Sequence, residues 1–200
     1  MSDVDFVNAP RSAYLHIPFC HRRCFYCDFT VIPLGDKASG DSGPGSSSIK
    51  SYLALLHREI ATSPDGAPLS TIYIGGGTPS LLTPSQIGAL IHKLSSRFGI
   101  QNGAEITMEI DPSSFDLNQL KGYLEAGINR ISLGGQSFED KVLEQLGRRH
   151  RSHHLIEATG WVNDFYKRGM LSTWSLDLIQ GLPGQTLNSW KKTLALALEA

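Results

Sequence analysis

Residues Thr71 to Gly99 read TIYIGGGTPSLLTPSQIGALIHKLSSRFG. A short apolar run, Thr71 to Ile74, leads into three glycines and then into a segment with apolar side chains at Ile87, Leu90, Ile91, Leu94 and Phe98. That spacing lines one face of a helix. The helix start is written in three residues: Thr83 can cap it, Pro84 suits its first position, and Gln86 can close a capping box. Gly99 ends it. The stretch is one strand–turn–helix unit.

The unit recurs in both directions. Further strands are expected near Ala13 to Ile17, Glu105 to Ile110, Arg130 to Leu133 and Thr173 to Ile179. A helix from Ile49 to Ala61 presents Ile49, Tyr52, Leu53, Leu56 and Ile60 on one face. Asp116 opens another, with Leu117, Leu120 and Leu124 inside and Gly127 closing it, and Ser137 caps a fourth over Phe138 to about Leu146. Ser152 to Lys167 and Leu187 to Ala200 complete the set, the last without a stop signal, so a missing continuation is expected. Such alternation means an α/β chain with a mainly parallel sheet. Periodicity alone leaves a doubly wound sheet and part of a barrel both open, and both place ligands at the C-terminal strand ends. Residues 1–12 read as an extension and 13–200 as the core, with a flexible surface insert at 35–48 that is rich in Gly, Ser and Asp.

The 200 residues carry 18 Lys plus Arg against 19 Asp plus Glu, a formal charge of −1 that predicts no nucleic-acid partner. At 40% hydrophobic and 18% charged, the chain is a packed domain rather than a disordered one. No apolar run approaches the roughly 20 residues of a membrane helix. Met1 to Pro10 resembles neither a secretory signal nor an Arg-rich transit peptide, so the expectation is a cytoplasmic or organellar (mitochondrial or plastid) compartment without a visible targeting segment.

All three cysteines fall on one loop, Cys20-x3-Cys24-x2-Cys27, which excludes a disulfide framework and points to a metal centre. Soft thiolates suit an iron–sulfur cluster or zinc, and Arg22 and Arg23 favour the ionised form. A structural zinc site normally shows a second knuckle, absent here, so a cluster is favoured. Zinc with His16 or His21 as fourth ligand, and incidental thiols, are the alternatives. Three thiolates on a cluster leave one iron open to substrate.

The turn Gly75-Gly-Gly-Thr-Pro79 permits close backbone approach and offers free amides, or is a plain corner; it lacks the Lys-Ser/Thr ending of a phosphate loop. Glu109, Gln136 and Asp177 are polar residues at strand ends, either convergent ligand groups or an ordinary sheet rim. Arg148 to His154 holds three Arg and three His, read as a solvated basic turn rather than a phosphate site. Trp161, Trp174 and Trp190 are assigned to the core, and no catalytic residue is assigned.

Together, the Cys motif, His16-Ile-Pro-Phe-Cys20, the Gly75 turn, Gly127-Ile-Asn-Arg-Ile-Ser132 and Asp177-Leu-Ile-Gln-Gly-Leu-Pro-Gly-Gln-Thr186 resemble the radical S-adenosylmethionine (SAM) superfamily. Within it they resemble the oxygen-independent coproporphyrinogen III oxidase-like branch. The resemblance implies a partial, TIM-barrel-like (β/α) barrel with about five βα units. It implies that Cys20, Cys24 and Cys27 hold a 4Fe-4S cluster whose fourth iron SAM chelates. Gly76, Gly77 and Thr78 then meet the methionine end of SAM, Glu109 its amino group, Gln136 and Asp177 its ribose and Arg148 its carboxylate, with Tyr14 beside the cluster. Decarboxylating members carry a further Cys two positions past the third thiolate, where this chain has Phe29. The Cys-x-Phe ending resembles the radical-SAM heme chaperones, which deliver heme to recipient heme proteins, and this is the favoured reading. Its alternatives are a coproporphyrinogen oxidase and a zinc-binding structural module. Heme, a recipient protein and an electron donor are the implied partners. His150, His153 and His154 could ligate heme iron, but neighbouring His in a surface helix are read as bystanders, and the heme-binding His segment of those chaperones lies in the continuation beyond the fifth strand.

Overall fold

The computed structural model describes residues 10–200, and expectations placed on residues 1–9 lie outside it. In chain order the elements are β1 (Ser12–Ile17), β2 (Phe19–Cys20), β3 (Ile32–Pro33), α1 (Ser46–Thr62), β4 (Leu69–Gly76), α2 (Pro84–Phe98) and β5 (Ile100–Ile110). They continue with α3 (Leu117–Glu125), β6 (Arg130–Gln136), α4 (Asp140–Gln145), α5 (Ser152–Lys167), β7 (Thr173–Leu178) and α6 (Leu187–Glu199). A short 3-10 turn, Pro79–Leu81, precedes α2. Among the described residues no helix is long and apolar enough to cross a membrane.

The sheet order is β1-β4-β5-β6-β7, and every pairing is parallel. Each strand is laid beside the one before it, so the sheet has no switch point, and the doubly wound alternative falls. With right-handed crossovers, a one-directional order puts every helix on the same side, as in a barrel wall.

Strand parity separates two faces. Leu15, Ile17, Ile72, Ile74, Ile106, Met108, Ile110, Ile131 and Leu133 are all buried in the core cluster, together with α1 residues such as Ile49 and Leu53 and α2 residues such as Leu90 and Leu94. The intervening positions read Tyr14 and His16, Tyr73 and Gly75, Thr107 and Glu109, Arg130, Ser132 and Gly134, then Ser175 and Asp177. A closed barrel fills this inner face with bulky branched side chains. Here the inner face is largely polar, and the apolar burial lies on the helix side.

Local signals place most helices. The α2 capping box forms in full, Thr83 and Gln86 satisfying each other's backbone groups, and Asp116 with Gln119 does the same for α3. Ser137 does not cap α4, contrary to the sequence expectation; Glu139 stands at the cap position. Ser137 Oγ accepts from the Glu139 amide at 3.1 Å, closing a turn ahead of a helix that starts at Asp140. Within the 35–48 segment, Ala38 is buried, Gly40 accepts a 2.8 Å hydrogen bond from the Gln86 side chain, and α1 claims Ser46 onward. Trp161 and Trp174 pack against the core, while Trp190 is half-buried outside that cluster.

Candidate functional site

A cavity of about 630 Å³ opens at the C-terminal strand ends, and Cys20, Cys24 and Cys27 share its wall with Gly76, Gly77, Thr78, Glu109, Gln136, Arg148 and Asp177. Two-residue strands β2 and β3 pair as Phe19 with Ile32 and Cys20 with Pro33, closing the loop that carries the other two thiols. The loop is also docked from below, since the Phe25 amide donates to the Leu146 carbonyl at 3.0 Å. Burial pushes the Cys20 thiol up, against a hydrogen bond from Thr78 Oγ1 at 3.5 Å. Arg22 and Arg23 do not act on the thiols as expected. Arg22 is held by Asp36 at 2.7 Å and Arg23 by the Phe29 carbonyl.

The glycine corner works differently from the sequence expectation of free amides. Gly76 N donates to Glu109 Oε2 at 3.0 Å, Gly77 N to the Ile17 carbonyl at 2.8 Å and Thr78 N to the Phe19 carbonyl at 2.7 Å. All three amides are spent inside the protein, tying the corner to β5 through Glu109, to the end of β1 through Ile17 and to the cysteine strand β2 through Phe19. A Cβ at Gly77 would lie 2.6 Å from the Phe19 oxygen and 2.9 Å from Cys20 Sγ, so the corner needs glycine to come this close. At Gly76, φ is +117° and a Cβ would meet the His16 ring at 2.6 Å.

Glu109 accepts from Tyr73 Oη at 2.8 Å through its other oxygen. Burial, then that carboxylate, raises the Tyr73 phenol above its ordinary range, so it remains a donor. Tyr14 is 57% exposed and stacks on Tyr73 with ring centroids 6.0 Å apart. It pairs with Tyr73 in register, one layer below the strand ends, and so reaches the site through Tyr73 without lining the cavity.

Sequence reading missed Asp111. It follows β5 directly and binds Arg148 Nη2 at 2.6 Å, with side-chain exposures of only 17% and 12%. Burial opposes ionisation of Asp111, but Arg148, His150 and Ser113 outweigh it and lower its pKa. Arg148 also donates to the Gly134 carbonyl at 2.9 Å and approaches Cys24 Sγ at 3.8 Å and Tyr26 Oη at 3.5 Å. Burial pushes the Tyr26 phenol up to about 12. The rest of the Arg/His run is not the solvated turn expected from sequence. His150 is fully buried on the Gly135 carbonyl, Arg151 holds the carbonyls of Arg148 and His150, and His154 accepts from the Arg151 amide at the start of α5.

Gln136 and Asp177 complete the wall. Asp177 accepts from Ser132 Oγ at 3.0 Å. Gln136 sits at a register shift against β7 with φ +57°, the one non-glycine positive φ among the described residues. Its side chain is buried, and Oε1 has no hydrogen-bond partner. A strained backbone and an orphaned buried acceptor, worth about 1–3 kcal/mol, are features that a donor-bearing ligand would relieve. Three thiols, a carboxylate pair and this acceptor around one cavity fit a sulfur-ligated cluster with a polar, amine- and hydroxyl-bearing partner.

The description of the radical SAM superfamily matches residues 14–197. The heme chaperone HemW of Synechocystis sp. is 43% identical over 192 residues, covering 96% of this chain and 45% of its own length. Oxygen-independent coproporphyrinogen III oxidase of Escherichia coli is 35% identical over 193 residues, covering 95% and 39%. The solved structure of coproporphyrinogen III oxidase (HemN) from Escherichia coli, described as a radical SAM enzyme, superposes with a TM-score of 0.80 at 32% identity over 96% of this chain and 42% of that one. The chain thus spans less than half the length of these relatives. With the match running through nearly all five strands' worth of sequence and the sheet order that goes with it, the chain belongs to the radical SAM superfamily and carries its α/β fold.

Proposed function

We propose that Cys20, Cys24 and Cys27 hold a 4Fe-4S cluster, that SAM lies along the ends of β4 to β7, and that the whole protein handles heme as a chaperone. One observation carries the reading: the three thiols and the polar strand-end residues line the same cavity. Three thiols on one short loop, with no second Cys/His knuckle in the sequence, favour a sulfur-ligated cluster over a structural zinc site.

When bound, the cluster supplies a one-electron reductant and SAM the bond that is reductively cleaved. The chain's own residues bind and orient. Glu109, fixed by Tyr73 and the Gly76 amide, offers its remaining lone pairs to an ammonium group. Gln136 Oε1 and Asp177 take ribose hydroxyls, and Arg148, in the cavity wall, supplies the positive charge opposite the carboxylate. Gly76, Gly77 and Thr78 contribute by letting the methionine end approach a wall without side chains, since their amides are already used. Tyr14 supports this set through Tyr73.

The chaperone reading is favoured over coproporphyrinogen oxidation by Phe29, which lines the cavity and is 63% exposed where the oxidases are expected to carry a further thiol. The relatives bearing the chaperone name support it. No heme ligand is assigned here, because His150 is buried on a carbonyl and His154 is tied to the start of α5. Recipient heme proteins and an electron donor belong to the same proposal.

The test is low-temperature electron paramagnetic resonance of anaerobically reconstituted, reduced protein with and without SAM. A 4Fe-4S signal that changes with SAM is the expected result. A signal indifferent to SAM removes the strand-end residues from the cofactor site, and zinc without iron or sulfide overturns the cluster. Heme transfer against propionate decarboxylation then separates the chaperone from the oxidase.

A further inference from the structure

We infer that Asp111 is a positioning residue: it locks the Arg148 guanidinium so that one edge is fixed against Cys24, raising the reduction potential of a cluster held there. The inference rests on the cluster reading. Its geometry is independent of which substrate follows.

Three nitrogens of Arg148 have three different jobs. Nη2 donates to both Asp111 Oδ2 at 2.6 Å and the Gly134 carbonyl at 2.9 Å. Nε points at His150 Nδ1 at 3.4 Å. These two leave Nη1 aimed at Cys24 Sγ and Tyr26 Oη, at 3.8 and 3.5 Å. Asp111 is itself immobilised, accepting from the Ser113 amide at 2.9 Å and the Ser113 hydroxyl at 2.8 Å, while its own amide donates to Ser80 Oγ at 3.0 Å. The fork therefore cannot turn without breaking a nearly dry ion pair.

Buried ion pairs are weak sources of stability but good at fixing position. Position is what matters beside a cluster. Reduction adds negative charge, so a fixed cation hydrogen-bonded to a ligand sulfur stabilises the reduced form and moves the potential upward. The low exposure of both side chains limits screening by solvent. A guanidinium is suited to this because its planar fork gives the carboxylate and the sulfur separate nitrogens in a fixed geometry, whereas a lysine ammonium is one rotatable point charge.

The sign of the effect separates positioning from simple charge. Removing the Asp111 charge leaves the site more positive, so Coulomb's law alone moves the potential up in Asp111→Asn. If the carboxylate works by holding Arg148 on Cys24, the same change moves it down. Midpoint potentials would be measured on the reconstituted protein and on Asp111→Asn, Arg148→Gln and the double variant, each checked for iron and sulfide. The expected result is a negative shift in both single variants, with the double variant no lower than Arg148→Gln. An upward or absent shift in Asp111→Asn overturns the inference. Should Asp111→Asn fail to take up a cluster, Arg148→Lys decides: a negative shift is expected, and a wild-type potential overturns the inference. Absence of a cluster from the unmodified protein would instead break the functional reading, and iron analysis tells the two failures apart.

Discussion

Replacing Gly77 with alanine should separate the glycine corner from the cysteine strand. The added Cβ would sit 2.6 Å from the Phe19 oxygen, 2.9 Å from Cys20 Sγ and 3.0 Å from the Ile17 oxygen. Two of these are main-chain atoms that cannot rotate away, and both accept hydrogen bonds from the corner itself, from Gly77 N at 2.8 Å and Thr78 N at 2.7 Å. Overpacking at a tight contact costs about 1–3 kcal/mol. Lengthening two hydrogen bonds adds about 0.5–1.5 kcal/mol each. The sum, about 2–6 kcal/mol, is a large share of the roughly 5–15 kcal/mol that holds a typical domain together. Urea denaturation of the metal-free protein should show a lower midpoint at an unchanged slope. Two other glycines set the scale. Gly103 has φ +77° but open space around it, so Gly103→Ala should cost only the left-handed strain of about 1–2 kcal/mol. Gly160 lies within α5 with nothing near its missing Cβ, and Gly160→Ala should gain about 1 kcal/mol. A Gly77→Ala variant no less stable than Gly103→Ala would refute the close-approach argument.

Acid should weaken the fold through His150. Burial lowers its pKa to about 4, against 6.5 for a free side chain, so between those values the unfolded chain binds a proton that the folded one does not. Stability is full above about pH 6.5 and falls by about 3 kcal/mol as the pH drops through the window. Burial shifts His21 in the same direction, so the comparison of urea midpoints at pH 7.5 and 4.5 with a His150→Gln variant isolates the term. An equal acid loss in that variant would count against it. Tyr123 donates to the Leu82 carbonyl at 2.8 Å and the Ser80 carbonyl at 3.2 Å from a fully buried position, and Tyr123→Phe should cost about 1–3 kcal/mol without touching cluster content. Asp177→Ala should weaken SAM binding, read by equilibrium dialysis of the reconstituted protein, while leaving iron and sulfide unchanged. An unaltered affinity would take Asp177 out of the site.

Elements were legible from the sequence; neighbours were not. The caps at Thr83 and Asp116 and the apolar stripe of α2 are local patterns, and they form as read. The sheet order is set by crossovers, which leave no mark on periodicity, so the barrel expectation comes from the family resemblance alone, and the unreversed strand order bears it out. Strands β2 and β3 are two residues each and joined through main-chain atoms, with no side-chain signature to find. Asp111 was hidden in an Asp-Pro step that reads as a turn, although a charged residue directly after a strand was a signal. His150 lay in a run that looked solvated because its partner, the Gly135 carbonyl, is a tertiary contact. Arg22 and Arg23 misled by adjacency: they neighbour the cysteines in sequence, but Asp36 and the Phe29 carbonyl hold them, and the cation that reaches a thiol comes from a distant loop.

The two faces of the same five strands divide the labour. Positions of one parity carry Ile, Leu and Met into the helix layer, where burial at about 25 cal/mol per Å² supplies the driving force. Positions of the other parity carry Glu109, Ser132 and Asp177 into the cavity wall, where little apolar surface is at stake. A strand can be altered on its inner side without emptying the core, and this lets small polar residues face a ligand. The exceptions mark where the two roles meet. Gly77 is pressed against Cys20, Asp111 is buried beneath Arg148, and Gln136 holds a strained backbone with an unmet acceptor. Substitutions at these three should disturb fold and site together, whereas those at Asp177 should disturb the site alone. Any ligand of the folded site adds about 2.7 kcal/mol at a hundredfold excess over its Kd, and one that donates to Gln136 should reach this at a lower concentration than an analogue lacking the donor.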